Sequence, residues 1–307
     1  MGNTDELRKQ KYNASVTRLH HVHEDLMILR VTPDTPRPQP IPGQYTVLGL
    51  GFWEPRAPGC QEEEIKPGTE HNLARRSYSI SCPILDDAGA GLMDMPAQKW
   101  LEFYVVLVRE TGRAEAPILT PRLFMLKEGD RLYLGEKITG HYSLEGVKDD
   151  DSVLFLSTGT GEAPHNYMLW ELLRRGHRGR IVSVCCVRYL RDLGYLKTHL
   201  AVAAMYPNVT YIPMATREGQ GGKKYIQDLI TSGEMERILG KPLDPGSCHV
   251  FLCGNPKMIG VQEKDRETGQ LVWPRPPGVI EILMERGFRT DKHSAKERGN
   301  IHFEEYW

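Results

Sequence analysis

At Lys148-Asp149-Asp150-Asp151 the chain changes texture, and that change limits its possible folds more than any other feature. Beyond it, strand-length apolar runs alternate with segments of helical period. "SVLFLSTGTG" runs into a glycine turn, and "APHNYMLWELLRRG" has helical spacing and closes on Gly176. "RIVSVCCV" is a second strand, "YLKTHLAVAAMYP" a helix stopped by Pro207, and "VTYIPMAT" a third strand. "KYIQDLITSGEMERIL" predicts one helix, "CHVFLCG" a fourth strand and "GVIEILMERG" a last helix. Unbroken apolar strands are buried on both faces, and the helices between them carry the chain back across the sheet. The pattern predicts a parallel sheet with helices on both faces.

Before the change the texture is that of strands: "ASVTRLHHVHEDLMILRVT", "GQYTVLGLGF", "RSYSISCP", "WLEFYVVLV" and "DRLYLGEK". Turns at "PDTPRPQPIPG" and "LKEGD" punctuate them, which predicts an antiparallel barrel or sandwich. "PRLFML" predicts a short helix. "EPRAPGCQEEEIKPGTEHN" and "LDDAGAGLMDMPAQ", near 53–72 and 85–98, are rich in Pro, Gly and charge without a period. Both are expected to be solvated loop insertions. With 307 residues and 40% apolar composition, the chain has enough material for two cores. Two domains are expected, 1–148 and 149–307.

Charge is balanced, 39 basic against 40 acidic residues, which argues against bulk attraction to nucleic acid or anionic lipid. "MGNTDELRKQKYN" has no apolar run and so no secretory signal, and Glu6 stands where myristoylation wants Ser or Thr. "FYVVLV" and "IVSVCCV" are strand length, well short of the roughly 20 residues of a membrane helix. A soluble, cytoplasmic protein without a membrane span is expected. Its six cysteines, Cys60, Cys82, Cys185, Cys186, Cys248 and Cys253, form no Cys-x-x-Cys pair and are expected as free thiols. In "HHVH", His21 and His23 share a strand face, but no third ligand is tied to them, so a strand end is expected and no metal site.

Two short stretches have chemical potential. In "LSTGTGEAPH", Thr158, Gly159, Thr160 and Gly161 lead a strand into a helix start, a way of bringing backbone amides to a phosphate. The stretch is short of a full G-x-G-x-x-G, and a plain strand–helix turn accounts for it equally well. In "ARRSYSIS", Arg76 and Tyr78 share a strand face and Ser79 turns to the other. Alone, that is an ordinary β sequence.

Taken in order, "PGQYTVLGL", "RSYS", "LEFYVVLV", "LTPRLFMLKEGD", "STGTGEAP", "VRYLRDLGYL", "ATRE", "LITSGEMERILGKPL", "VFLCGNPKMI" and the terminal "EEYW" resemble the bacterial type of ferredoxin (or flavodoxin)–NADP reductase. The resemblance runs from about residue 14 to 307, interrupted by the two insertions and an altered stretch after Ile259. It implies a two-domain fold: an antiparallel β-barrel that binds FAD, followed by an α/β parallel-sheet, Rossmann-like domain that binds NADP(H). Hydride would pass between nicotinamide and flavin, and single electrons between flavin and a ferredoxin or flavodoxin. The rival expectations are another NAD(P)H-dependent flavin or oxygenase reductase of the superfamily, and a flavin-binding protein without turnover. A fused iron–sulfur module is not expected, because the cysteines lack the spacing.

The resemblance also assigns roles. Arg76, beside Ser77, would neutralise the FAD pyrophosphate, Tyr78 would stack on the isoalloxazine, and Ser79 would bond the reactive ring nitrogen. Tyr104, Val105, Val106, Ile118, Leu119 and Thr120 would line the flavin, largely through backbone groups. Thr158, Gly159, Thr160 and Gly161 would face the NADP pyrophosphate and nicotinamide. Arg188 and Arg217 would grip the ribose 2′-phosphate, with Lys223 or Lys224 as a third cation. Cations there favour NADP over NAD, whose 2′-hydroxyl is usually met by an acidic residue. Cys253 and Gly254 would shape the nicotinamide site. Tyr306 and Trp307 would fold back over the flavin, Trp307 moving aside for hydride transfer. "RRGHRGR" and "KHSAKER" read as solvated faces, one of which would help dock an acidic carrier. Two residues depart from the family pattern. Glu162 stands where a small or apolar residue is usual and is expected to point to solvent, and His165 replaces an aromatic and is expected to loosen packing.

Overall fold

Period-two alternation in the first half places its strands edge to edge. The computed structural model describes residues 2–218, 222–265, 267–291 and 298–306. Six strands, β1 (Ala14–His23), β2 (Leu26–Pro33), β3 (Tyr45–Gly51), β4 (Leu73–Ser79), β5 (Leu101–Val106) and β6 (Arg131–Leu134), pair antiparallel in the order β4-β3-β6-β1-β2-β5. Just past β4, Ser81 bridges Glu102 of β5, its N–H donating to the Glu102 carbonyl at 2.8 Å. That bridge brings the chain just past β4 to the other outer strand, β5, at one point. Val16, Leu29, Val31, Leu48, Phe103, Leu132 and Leu134 fill the interior and are essentially unexposed.

Two features of this unit have no periodic signature. Helix α1 (Gly2–Lys11) is polar along its length, and its position depends on a tertiary ion pair. Arg8 donates two bonds to Glu54, at 2.8 and 2.6 Å, and the Tyr12 hydroxyl donates to the same carboxylate at 2.8 Å. The second feature corrects an expectation. The insertion at 53–72 is anchored, because Glu63 is a buried partner of Arg122, which lies at the end of "TPR" in α2 (Thr120–Leu123). The second insertion, 85–98, is exposed at 87–90 and at Asp94, Pro96 and Ala97, but buries Leu85, Met93 and Met95 and carries a Leu85–Leu92 bridge.

The second half forms a parallel sheet: β7 (Ser152–Thr158), β8 (Ile181–Val187), β9 (Val209–Ala215) and β10 (Cys248–Gly254). A two-stranded hairpin, β11 (Glu263–Lys264) and β12 (Leu271–Val272), interrupts the chain before β13 (Ile301–Glu305), and the sheet order is β13-β10-β7-β8-β9. The order reverses at β7, and in open α/β sheets ligands bind beyond the strand ends at such a reversal. Strand β13 was not expected from "IHFEE"; it forms because β10 offers it a parallel edge, Val250 opposite Ile301 through Gly254 opposite Glu305.

Helices α3 (Glu162–Arg174) and α4 (Leu196–Met205) cover one face of this sheet. On the other, α5 (Ile226–Thr231), α6 (Glu234–Leu239), α7 (Pro256–Ile259) and α8 (Val279–Met284) enclose a core that includes Leu154, Leu156, Val184, Val250, Leu252, Ile230, Met235 and Leu283. The single helix predicted over "KYIQDLITSGEMERIL" is two, because Gly233 adopts φ +73°, a left-handed conformation that ends α5. The chain divides into two compact units, Met1–Pro83 with Met93–Ser143, and Ile84–Leu92 with Leu144–Trp307.

Candidate functional site

Strand β7 delivers its last residue, Thr158, into the turn Gly159–Gly161, and Glu162 opens α3. Two strand ends meet here at backbone distance. A side chain on Gly161 would place its Cβ 2.3 Å from the Cys253 carbonyl oxygen, and one on Gly254 (φ +125°) would reach 2.2 Å from Thr158 Oγ1. The Thr158 hydroxyl accepts the Asn255 N–H at 2.7 Å and ties the turn to the exit of β10. Gly159, at φ +53°, has open space on its Cβ side, and no side chain caps the start of α3. A 13-residue helix with uncapped leading amides carries partial positive charge at this end, which suits an anion.

Arg188 and Arg217 follow β8 and β9 at the same end of the sheet. The Arg217 N–H donates to the Arg188 carbonyl at 2.9 Å, so the two side chains leave neighbouring backbone positions. Both are exposed, and Arg217 lies over the Tyr189 ring at 5.8 Å. Among the described residues no carboxylate pairs with either. Lys224 differs: its ammonium is held by Glu234. Lys223 is exposed, and residues 219–221 lie outside the described residues.

Cys253 is fully enclosed in β10, and burial, aided by Glu304, pushes its thiol well above the ordinary range. It is therefore a neutral thiol, unsuited to nucleophilic attack. The Tyr306 N–H donates to the Gly254 carbonyl at 2.9 Å, so the aromatic tail leaves from the same strand end. Trp307 itself lies outside the described residues.

Glu162 corrects an expectation. It does not point to solvent: it has no exposed surface and accepts the Tyr211 hydroxyl at 2.9 Å. His165 likewise fills its position, its ring 5.0 Å from Phe155, with burial holding it neutral at a pKa of about 3.

In the first unit, β4 presents Arg76 and Ser77 exposed, Tyr78 half-buried edge-on to Phe103 at 6.5 Å, and Ser79 buried. Arg76 donates to the Arg75 carbonyl at 2.9 Å, and among the described residues no carboxylate pairs with it. Tyr104 and Val105 are buried, while Val106 is 42% exposed. The Thr120 hydroxyl accepts the Val108 N–H at 3.1 Å, bringing the segment after β5 against Ile118, Leu119 and Thr120. That segment is held from beneath by Arg122, which the sequence reading did not single out. Its guanidinium donates to the carbonyls of Gly51 (3.1 Å), Phe52 (3.0 Å) and Ile118 (2.6 Å) and to Glu63 (2.6 Å). A Pro-Arg pair in a helix carries no local sign of such a role. The histidines of "HHVH" are absorbed locally: His21 packs on Phe124, and His23 Nδ1 accepts the Asp25 N–H.

A barrel with an Arg-Ser-Tyr-Ser strand, followed by a parallel sheet with an uncapped glycine turn, is the architecture of two-domain flavin- and pyridine-nucleotide-dependent reductases. Residues 155–264 match the family model described as the oxidoreductase NAD-binding domain. The chain is 25% identical over 300 residues to a flavodoxin/ferredoxin–NADP reductase of Buchnera aphidicola, covering 96% of this chain and 98% of that one. It is 33% identical over 170 residues to the enzyme of that name from Shigella flexneri, covering 54% of this chain and 66% of that one. Among solved structures it is similar to a ferredoxin NADP+ reductase from Neisseria gonorrhoeae with bound FAD and NADP. The TM-score is 0.67 at 18% identity, with 97% and 99% of the chains covered. The chain is thus similar, along nearly its whole length, to flavodoxin/ferredoxin–NADP reductases.

Proposed function

We propose that this chain is a ferredoxin/flavodoxin–NADP(H) oxidoreductase. The observation that carries the reading is the uncapped glycine turn on β7 with Arg188 and Arg217 on the adjoining strand ends, two cations without carboxylate partners among the described residues. FAD, when bound, supplies the hydride exchange with NADP(H) and the one-electron exchange with a carrier protein. The residues present fit both groups. Arg76, without a carboxylate partner among the described residues, offers the planar fork that a pyrophosphate takes, and Gly161 and Gly254 let the turn and the exit of β10 approach at backbone distance. Tyr78 supplies a ring for stacking, Ser79 a hydroxyl for the flavin ring nitrogen, and Tyr104–Val106 and Ile118–Thr120 a backbone lining. Thr158–Gly161 orient the NADP(H) pyrophosphate, and Arg188 and Arg217, with Lys224 in a lesser part, select the 2′-phosphate. Cys253 and Gly254 shape the nicotinamide position, while Tyr306 and Trp307 keep the flavin-covering role drawn from the family resemblance. The partner is an acidic ferredoxin or flavodoxin docking transiently by charge, in the cytoplasm. Among the described residues no helix is long and apolar enough to cross a membrane.

The purified protein is expected to carry flavin and to oxidise NADPH with ferredoxin or flavodoxin as acceptor. A colourless protein that binds no nucleotide would refute the proposal. Turnover with free flavin alone would assign a flavin reductase instead. Arg188→Ala is expected to raise the Michaelis constant for NADPH about 10- to 100-fold, since hydrogen bonds to charged groups contribute roughly 1.5–3 kcal/mol. The constant for NADH should barely move, and equal effects on both would show that Arg188 does not contact the 2′-phosphate.

A further inference from the structure

The Glu162 carboxyl begins α3 immediately after the glycine turn and is enclosed by groups from four elements. From β9, Tyr211 donates its hydroxyl to Oε1 at 2.9 Å. From α4, His199 places Nε2 3.3 Å from the same oxygen and 2.8 Å from Asn166 Oδ1 of α3, while its ring stacks on Tyr211 at 4.3 Å. From β8, the Cys185 thiol contacts the carboxyl and donates to the Gly159 carbonyl at 3.7 Å, linking the carboxyl to the turn itself. On α3, His165 is also fully buried and lies near enough to His199 for each charge to disfavour the other. None of them is a cation, because burial holds His199 and His165 neutral, each with a pKa of about 3. Glu162 Oε2 has no hydrogen-bond partner among the described residues. A buried carboxylate with the Tyr211 hydroxyl on one oxygen, no partner on the other among the described residues and only neutral groups around it is poorly compensated, so the proton is retained to a pKa of about 7.

We infer that Glu162 is a positioning residue that couples nucleotide binding at the glycine turn to uptake of a proton. Protonated, it leaves the positive end of α3 open to an anion. Ionised, it puts a negative charge inside the first helical turn and opposes the pyrophosphate that the amides would hold. Affinity for the dinucleotide therefore falls as pH rises through neutrality, and by linkage the bound anion draws a proton onto the carboxyl. The inference rests on the reading of this turn as a dinucleotide site, and the experiment has one arm that is independent of it.

That arm is stability in the absence of nucleotide. A carboxyl whose folded pKa lies above its unfolded value near 4.5 contributes stability that is full below that value and is lost as pH climbs to about 7. Glu162→Gln is thus expected to melt increasingly above the wild type between pH 5 and 8. In the binding arm, NADP+ is titrated calorimetrically into the flavin-loaded protein in buffers of different ionisation enthalpy. The wild type is expected to bind about tenfold more weakly at pH 8.5 than at pH 6 and to take up as much as about half a proton at pH 7. Glu162→Gln should lose both effects, retaining only the titration of the 2′-phosphate common to both proteins. Tyr211→Phe removes a donor that favours the charged form and should move the midpoint upward, which tests the idea should the glutamine variant fold poorly. Matching pH profiles in wild type and both variants would overturn the coupling. A stability slope without pH-dependent binding would overturn it too, showing that the carboxyl titrates in isolation. Absence of NADP+ binding at every pH, with the stability slope intact, would overturn it by removing the nucleotide reading on which it rests.

Discussion

Arg122→Ala is expected to destabilise the first unit by about 3–5 kcal/mol, the range for removing one partner of a buried charge pair. Against a typical domain stability of roughly 5–15 kcal/mol, that is enough to leave much of it unfolded at physiological temperature. The side chains of Arg122 and Glu63 are 1% and 6% exposed, so water cannot replace what is lost. Truncation leaves the Glu63 carboxylate with only the more distant Arg56, at 3.9 Å, and removes the donor from the carbonyls of Gly51, Phe52 and Ile118 together. It also removes the guanidinium from the Phe52 ring, 5.2 Å away. Because Ile118 opens the stretch proposed to line the flavin, residual folded protein should lose FAD as well. Arg122→Lys should rescue little, since an ammonium cannot span four acceptors in a plane. Glu63→Gln combined with Arg122→Met should recover part of the loss, because replacing both partners removes the poorly compensated charge. Thermal unfolding and flavin release provide the measurement. A midpoint within a couple of degrees of wild type for Arg122→Ala would show that the cluster is not a structural keystone.

Gly161→Ala is expected to weaken nucleotide binding about a hundredfold while the first unit remains folded. The new Cβ would lie 2.3 Å from the Cys253 carbonyl oxygen, 2.6 Å from its carbon and 3.0 Å from the Gly254 nitrogen, all backbone atoms that no rotamer change moves aside. The turn and the end of β10 must separate, at a cost of about 1–3 kcal/mol for overpacking. An ångström of displacement where amides meet a phosphate is expected to cost about a hundredfold in kcat/KM for NADPH. Gly159→Ala is the control, because it has open space but a φ of +53°. It should lose of order 1 kcal/mol to backbone strain and keep most of its affinity. NADP+ titration and thermal unfolding separate the two. Native-like affinity in Gly161→Ala would mean that the two strand ends do not need to meet.

Much of this was legible in one dimension. Apolar runs bounded by Gly and Pro marked β7, β8, β9 and β10, and the "TGTG" turn marked the strand end proposed to meet a phosphate, because period and turn chemistry act over a few residues. What failed to show is equally specific. The break at Gly233 lies inside an unbroken helical pattern, where a glycine is tolerated until the packing of α5 and α6 requires the left-handed conformation. The first insertion looked solvated because nothing near Glu63 announces a partner 59 residues away. Glu162 looked like a surface carboxylate at a helix start, where a negative charge is locally favourable. Only the approach of Tyr211, 49 residues on, with His199 and Cys185 turns it inward.

The sequence by itself determined the order and kind of the elements, the change from an antiparallel to a parallel sheet, and the end of that sheet where a phosphate would be met. Each of these follows from side-chain spacing and backbone preference within a short window. The tertiary structure alone decided that α1 docks through Arg8 and Glu54, that "IHFEE" becomes a strand on the edge of β10, and which buried charges find partners. Those outcomes depend on groups distant in the chain, whose desolvation and pairing energies leave no trace in local periodicity.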